Sequence, residues 1–206
     1  MKRAKMTVGL LGGSFNPAHE GHLHISLEAI KRLKLDQVWW LVSPQNPLKA
    51  KEDMAGFEQR LNYARSLARH PQIKVLDFEQ KHRLRYSYDT IRALQQSYPH
   101  IRFIWLMGAD NLAQFSRWRS WRKIFHLLPI AVLDRAPFSH VAVRMLAAAR
   151  FASKRLNASN APKLAAKTPP AWLYLHIPRH PGSATQLRKE LGKSAFLGHN
   201  NRVDNA

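Results

Sequence analysis

A short apolar run, residues 7–11, gives way to Gly12-Gly13-Ser14, passes Pro17 and restarts after two histidines three apart, His19 and His22. This junction constrains the fold more than any other feature. The run 7–11 has the length and apolarity of a buried strand. From His22 onward, Leu23, Leu27, Ile30 and Leu33 recur at offsets 0, 4, 7 and 10, one face of a helix. A strand that passes through glycines into a helix leaves free backbone N–H groups at the positive end of a helix dipole, which favours phosphate. Two imidazoles there can donate to charge on a reacting phosphate. They can equally bond the backbone. A metal site is a third use, but no third His, Cys or acid lies at a matching offset.

The rest of the chain alternates in the same way. Strands are expected at 7–11, 38–42, 73–78, 101–107, 130–133 and 172–177, and helices at 22–33, 57–68, 88–97, 121–125, 141–152 and 183–191. In the second helix Phe57, Leu61, Ala64 and Leu67 repeat the same apolar spacing. Near-continuous apolar strands separated by helices predict an α/β fold: a doubly wound parallel sheet covered on both faces. Ligands in such folds bind beyond the carboxyl ends of the strands. The length, 206 residues, suits a single domain over 1–191 with a small C-terminal helical part. Residues 157–170, rich in Ala, Asn, Lys and Pro, read as a flexible basic connector inside it, and 192–206 as a disordered tail.

Lys and Arg number 33 against 13 acids, a net charge of +20, so anionic partners are expected. Nucleotide phosphates are one candidate. A nucleic acid is not excluded, but no recognition signature for one is present, and a basic solvated surface explains the charge as well. Cysteine is absent, which excludes disulfides and thiolate metal sites and fits a cytoplasmic location. The apolar patch before Gly12 is too short for a signal peptide, and no run approaches the roughly 18 apolar residues of a membrane helix. Neither GxGxxG nor a Walker A pattern occurs.

Four further groups follow strands. Gly108-Ala109-Asp110 offers small residues for close ligand approach, and Asp110 suits either a ribose or a helix cap. Phe115, Trp118 and Trp121 recur at threes among arginines; Trp121 reads as core, whereas Trp118, beside the ligand loop, can stack on a heteroaromatic ring. Lys49 ends the loop after the second strand and is either solvated or phosphate-binding. Ser183, Thr185 and Arg188 open the last expected helix as a cap or an anion site.

In this order the pieces resemble the bacterial nicotinate-nucleotide adenylyltransferases, within the (H/T)xGH nucleotidyltransferases. Residues 12–22, GGSFNPAHEGH, are similar to the family's GGSFxPxHxGH. Ser87-Tyr88-Asp89-Thr90 resembles its (S/T)-x-D-T segment and Gly108-Ala109-Asp110 its GxD. Trp118, eight residues after Asp110, matches its tryptophan, and residues 183–188, SATQLR, resemble its SSTxIR signature. Leu48 stands where the family has His, and Gly182 where it tends to have Ile.

The resemblance implies a Rossmann-like fold and transfer of AMP from ATP to nicotinate mononucleotide, giving deamido-NAD and pyrophosphate in NAD biosynthesis. It implies that Gly12, Gly13, Ser14, Phe15, His19, His22 and Asp110 bind ATP, with Ser183, Thr185 and Arg188 on its β- and γ-phosphates. His19, His22 and Arg188 would be catalytic. Lys49, Ser87, Trp118 and Arg135 would bind nicotinate mononucleotide. Mg²⁺ would be carried by substrate phosphates, without a protein ligand set. Oligomers are possible. Nicotinamide mononucleotide or phosphopantetheine as acceptor, and a nucleic-acid-binding protein on the same fold, are the alternatives.

Overall fold

Each expected apolar run becomes a strand whose side chains alternate between two cores, as the period of two requires. The computed structural model describes residues 5–45, 54–134 and 144–178. The strands are β1 (Thr7–Gly13), β2 (Gln37–Val42), β3 (Ile73–Leu76), β4 (Arg102–Gly108), β5 (Ile130–Asp134), β6 (Arg155–Leu156) and β7 (Trp172–His176). All pair in parallel, in the order β3-β2-β1-β4-β5-β7-β6. Trp39 and Trp40 show the alternation. Trp39 joins Leu10, Trp105 and Phe125 on one face, while Trp40 joins Leu11, Leu106 and Leu175 on the other.

The helices are α1 (Glu20–Leu33), α2 (Phe57–Leu67), α3 (Phe78–Lys81), α4 (Ser87–Ser97), α5 (Ala109–Gln114), α6 (Trp121–Leu127) and α7 (Leu146–Arg150). This is the doubly wound sheet that the alternation predicts. The order reverses between β1 and β4, so the crevice beyond their carboxyl ends is the place for a ligand. Among the described residues no helix is long and apolar enough to cross a membrane.

Three departures from expectation have physical causes. In α1 the buried face is Ile25, Ser26, Ala29 and Leu33, not the stripe through Leu23 and Leu27; Leu27 is exposed. Small Ser26 and Ala29 let the helix approach the sheet closely. Ser26 is also held there, donating to the His22 carbonyl at 2.8 Å and accepting from Trp40 Nε1 at 2.8 Å.

The second concerns the expected connector at 157–170, which is ordered structure. Residues Ala158–Ala166 form a 3₁₀ helix whose Ala161 and Leu164, three apart, are buried. A three-residue period is what a 3₁₀ helix needs, and the segment packs on α1, β4 and β7. Third, the two-residue strand β6 was hidden inside the helix-to-connector boundary. The expected helix 183–191 and tail 192–206 lie outside the described residues.

Candidate active site

β1 runs two residues further than its apolar pattern, through Gly12 and Gly13. The two glycines differ. A Cβ on Gly12 would sit 2.7 Å from the buried Trp105 ring, so packing alone demands glycine there. A Cβ on Gly13 would meet only Phe15, at an ordinary 3.5 Å. The chain then turns through Ser14, Phe15 and Asn16, all buried, and a cis Asn16–Pro17 peptide. Phe15 takes φ 45°, a left-handed conformation unusual for a bulky residue. Its ring holds it there, stacked on Trp40 at 5.1 Å and lying 4.7 Å from the His22 ring.

Helix α1 starts at Glu20, two residues earlier than the apolar pattern indicates, and His19 is its N-cap. The histidines cap reciprocally. His19 Nδ1 accepts from the Gly21 N–H at 3.1 Å, and His22 Nδ1 accepts from the His19 N–H at 3.2 Å. A neutral imidazole that accepts at Nδ1 carries its proton at Nε2. Both rings, 3.9 Å apart, are thereby set as Nε2–H donors at the positive end of α1. The backbone-bonding use expected of these histidines is therefore present, as the cap of α1. His19 is only 5% exposed, and His22 is the more open of the two.

Across the crevice, α5 starts immediately after β4. Gly108 is its N-cap and Asp110 its second residue, in the first turn. Trp118 follows a 3₁₀ turn, Phe115–Arg117, and is half-buried, its ring edge-on to Trp105 at 6.2 Å and 4.9 Å from Phe115. Trp121, expected in the core, is also half-buried: it meets Phe125 and Phe151 edge-on and carries Arg122 on its ring.

Ser87 is the first residue of α4, whose N-cap, Tyr86, makes no side-chain cap hydrogen bond. Below it, Thr90 Oγ1 donates to the buried Glu79 carboxyl at 2.9 Å. Burial pushes the Glu79 pKa up to about 7, opposed by that hydrogen bond. Above it stand exposed cations on half-buried rings. Arg119 lies 4.5 Å and Arg85 5.7 Å from the Tyr86 ring; Arg92 and Lys123 lie 5.9 and 5.8 Å from that of Tyr88. A cavity of about 480 Å³ separates this segment from the loop after β2, lined by Pro44, Gln45, Gln80, Arg83, Leu84 and Arg85. Two guanidiniums on its wall suit an anionic occupant.

Sequence reasoning missed Arg60, the buried cation that joins the loops after β1 and β2. The signal was present: Arg60 lies on the apolar stripe of α2 next to Leu61 and Ala64. It also missed the pair of Asp134 and His176, 2.9 Å apart at the ends of β5 and β7, and the 2.7 Å contact of His24 Nε2 with the Pro178 carbonyl. The structure thus brings Gly12, Gly13, Ser14, Phe15, His19, His22, Asp110, Ser87 and Trp118 to the carboxyl edge of the sheet. Lys49, Arg135, Ser183, Thr185 and Arg188 lie outside the described residues.

The cytidylyltransferase-like family model matches residues 10–190. A probable nicotinate-nucleotide adenylyltransferase of Methylorubrum extorquens (strain PA1) is 49% identical over 89% of this chain and 99% of its own length. One from Brucella suis is 46% identical over 92% of this chain and 98% of its own. In fold, the chain is similar to the Plasmodium falciparum nicotinic acid mononucleotide adenylyltransferase solved with NaAD. That match has a TM-score of 0.67 at 17% identity, over 91% of this chain and 85% of that one. The reciprocal histidine cap at the switch point of a parallel sheet is thus found in a chain that belongs to the cytidylyltransferase-like nucleotidyltransferases, among the nicotinate-nucleotide adenylyltransferases.

Proposed function

We propose that the protein joins ATP and nicotinate mononucleotide to give deamido-NAD and pyrophosphate, and that the residues of the sheet's carboxyl edge divide the work as follows. An oxygen of the mononucleotide 5′-phosphate forms a bond to the α-phosphorus of ATP. The bond from that phosphorus to the bridging oxygen of pyrophosphate breaks. The attacking phosphate is anionic at neutral pH, so no protein group needs to remove a proton. Catalysis is then orientation plus stabilisation of charge on the α-phosphate and the leaving group.

One observation carries this reading: the reciprocal cap that sets both histidines as Nε2–H donors at the start of α1. His22 donates to the α-phosphate, and His19 supports the same charge from the more buried position. Gly12, Gly13, Ser14 and Phe15 offer backbone to the ATP phosphates, and Asp110 accepts from the ribose. Ser183, Thr185 and Arg188 take the β- and γ-phosphates. On the acceptor side Trp118 stacks on the pyridine ring, and Ser87, at the uncapped start of α4, receives its carboxylate. Lys49 and Arg135 supply positive charge to the mononucleotide. The described residues contain no group of three or more His, Cys, Asp or Glu side chains able to hold a metal. A Mg²⁺ carried by the ATP phosphates would neutralise charge on the leaving group.

The test is pyrophosphate release from ATP with nicotinate mononucleotide, its amide and phosphopantetheine compared side by side. The acid is expected to give the highest kcat/KM. His22→Ala should lower kcat by about 10²–10³-fold, the usual cost of removing one donor to developing charge. Near-wild-type turnover in that variant, or a preference for another acceptor, defeats the assignment.

A further inference from the structure

Arg60 is a buried guanidinium that meets no carboxylate among the described residues. It is 1% exposed, and none of the ion pairs among the described residues includes it. Its partners are all backbone carbonyls. Nε donates to Ala55 at 2.9 Å, one terminal nitrogen donates to both Ser14 and Ser43 (2.9 Å to the latter), and the other donates to Pro44 at 2.8 Å. The group also lies 5.6 Å from the Phe57 ring centre. Burial lowers its pKa from the ordinary arginine value. Taking a cation out of water is costly unless its hydrogen bonds are made good, and an apolar side chain would fill the same space without that cost. The geometry of the bonds is therefore what the guanidinium supplies.

These bonds gather the turn after β1 and both ends of the β2–α2 connection. Ser14 belongs to the phosphate turn after β1. Ser43 and Pro44 are the first residues after β2, and Ala55 is the last but one before α2. Ser43, Pro44 and Ala55 are therefore held beside one side chain. Asn16 Oδ1 accepts from the Ala55 N–H at 3.1 Å, a second stitch from the phosphate turn to the same point. Pro44 is also a wall of the cavity that holds Arg83 and Arg85.

We propose that Arg60 is a positioning residue. It fixes the distance between the phosphate turn and the acceptor-side wall, so that the two reacting phosphates meet in line. The inference rests on the adenylyl-transfer reading above for its kinetic consequence, but not for its structural one. Misplacement of reacting groups by about 1 Å can cost roughly a hundredfold in rate. A rigid planar fork with five N–H groups can span these carbonyls; a lysine ammonium cannot.

The experiment pairs amide hydrogen exchange on the ligand-free protein with kinetics. In Arg60→Lys, exchange is expected to rise at residues 43–45 and 54–56 while α1 stays protected. kcat should fall at least tenfold and the acceptor KM should rise, with a smaller change in the ATP KM. In Arg60→Ala, millimolar guanidine should restore part of kcat, which a general loss of stability would not allow. Asn16→Ala removes one stitch and should shift the same parameters in the same direction by a few-fold, giving a readout even where Arg60 variants fail to fold. Increased exchange with unchanged kinetics would reduce Arg60 to a structural staple and overturn the proposal, as would unchanged exchange. A wild-type protein without adenylyl transfer would defeat the functional reading instead, while the exchange measurement still decides whether the clamp exists.

Discussion

The proposed phosphate junction and the proposed acceptor wall are built in opposite ways. From Gly13 to His22 the chain is mostly buried, closed by side-chain-to-backbone hydrogen bonds in the reciprocal histidine cap and from Arg60 to Ser14, and by the Phe15 ring stacked on Trp40. Across the crevice, Arg85, Arg92, Arg119 and Lys123 are exposed, rest on tyrosine faces and make no ion pair among the described residues. In the proposed reaction the junction handles the bond that changes, where donors aimed in advance lower the barrier. In the same reading the wall would meet a substrate arriving from solvent, where a field of exposed cations raises encounter without fixing a pose. Its footing differs from its surface, because Thr90, one turn into α4, is tied to the buried Glu79.

That footing gives the largest effect. Burial raises the Glu79 pKa from the ordinary 4.5 to about 7. Between these values the unfolded chain has lost the proton and the folded one retains it. Folding stability therefore falls as pH rises from 5 to 8, by roughly 3 kcal/mol in all at 1.36 kcal/mol per unit. Glu79→Gln keeps an oxygen for Thr90 and removes the titration. Its melting temperature relative to wild type should be close at pH 5 and clearly higher at pH 8. Parallel curves at both values would show that Glu79 is not the titrating group, and that the wall has no pH-sensitive base to set against the junction.

The glycine pair sharpens the comparison from the junction side, at a smaller scale. Gly12→Ala drives a methyl into Trp105, which is itself 1% exposed. Overpacking of this kind costs about 1–3 kcal/mol, so the melting temperature should drop by several degrees. Gly13→Ala meets no such obstacle and should melt within about a degree of wild type, yet lose ATP affinity if the α- and β-phosphates approach its backbone. Equal melting temperatures for the two variants, or unchanged ATP affinity in Gly13→Ala, would break the division between a packing glycine and a ligand glycine.

Much of this was legible in the sequence. The order of strands and helices followed from apolar runs and their periods, and β1-Gly-Gly-His-x-Gly-His identified the crevice. The reciprocal cap was not legible, because apolar spacing marks the helix from His22 whereas the cap geometry starts it at Glu20. Trp105 explains Gly12 only in three dimensions, since no local pattern brings β4 beside β1. Arg60 was visible as a charge on an apolar stripe, but its carbonyl partners come from the turn after β1 and from both ends of the β2–α2 connection. The 3₁₀ helix at Ala158–Ala166 was lost to composition: alanine, proline and lysine read as a linker until Ala161 and Leu164 are seen buried.

The smallest effect concerns the wall alone. Arg119 is exposed and lies over Tyr86, a contact worth about 0.5–1 kcal/mol at such a site. Removing its charge in Arg119→Gln should therefore lower the melting temperature only slightly. If the wall acts through its field, the acceptor KM should rise by less than about threefold at low ionic strength, with kcat unchanged. Adding salt shortens the screening length to about 8 Å at 0.15 M and 3 Å at 1 M, so the difference between variant and wild type should close as salt is raised. ATP KM should move less than acceptor KM, because Arg119 stands on the α4–α6 side of the crevice. A fall in kcat would place the guanidinium against the reacting groups and make the wall as preorganised as the junction. A KM difference that persists at high salt would mean a direct hydrogen bond to the acceptor rather than a diffuse attraction, and the contrast between a rigid phosphate junction and an adaptable acceptor wall would fail at that residue.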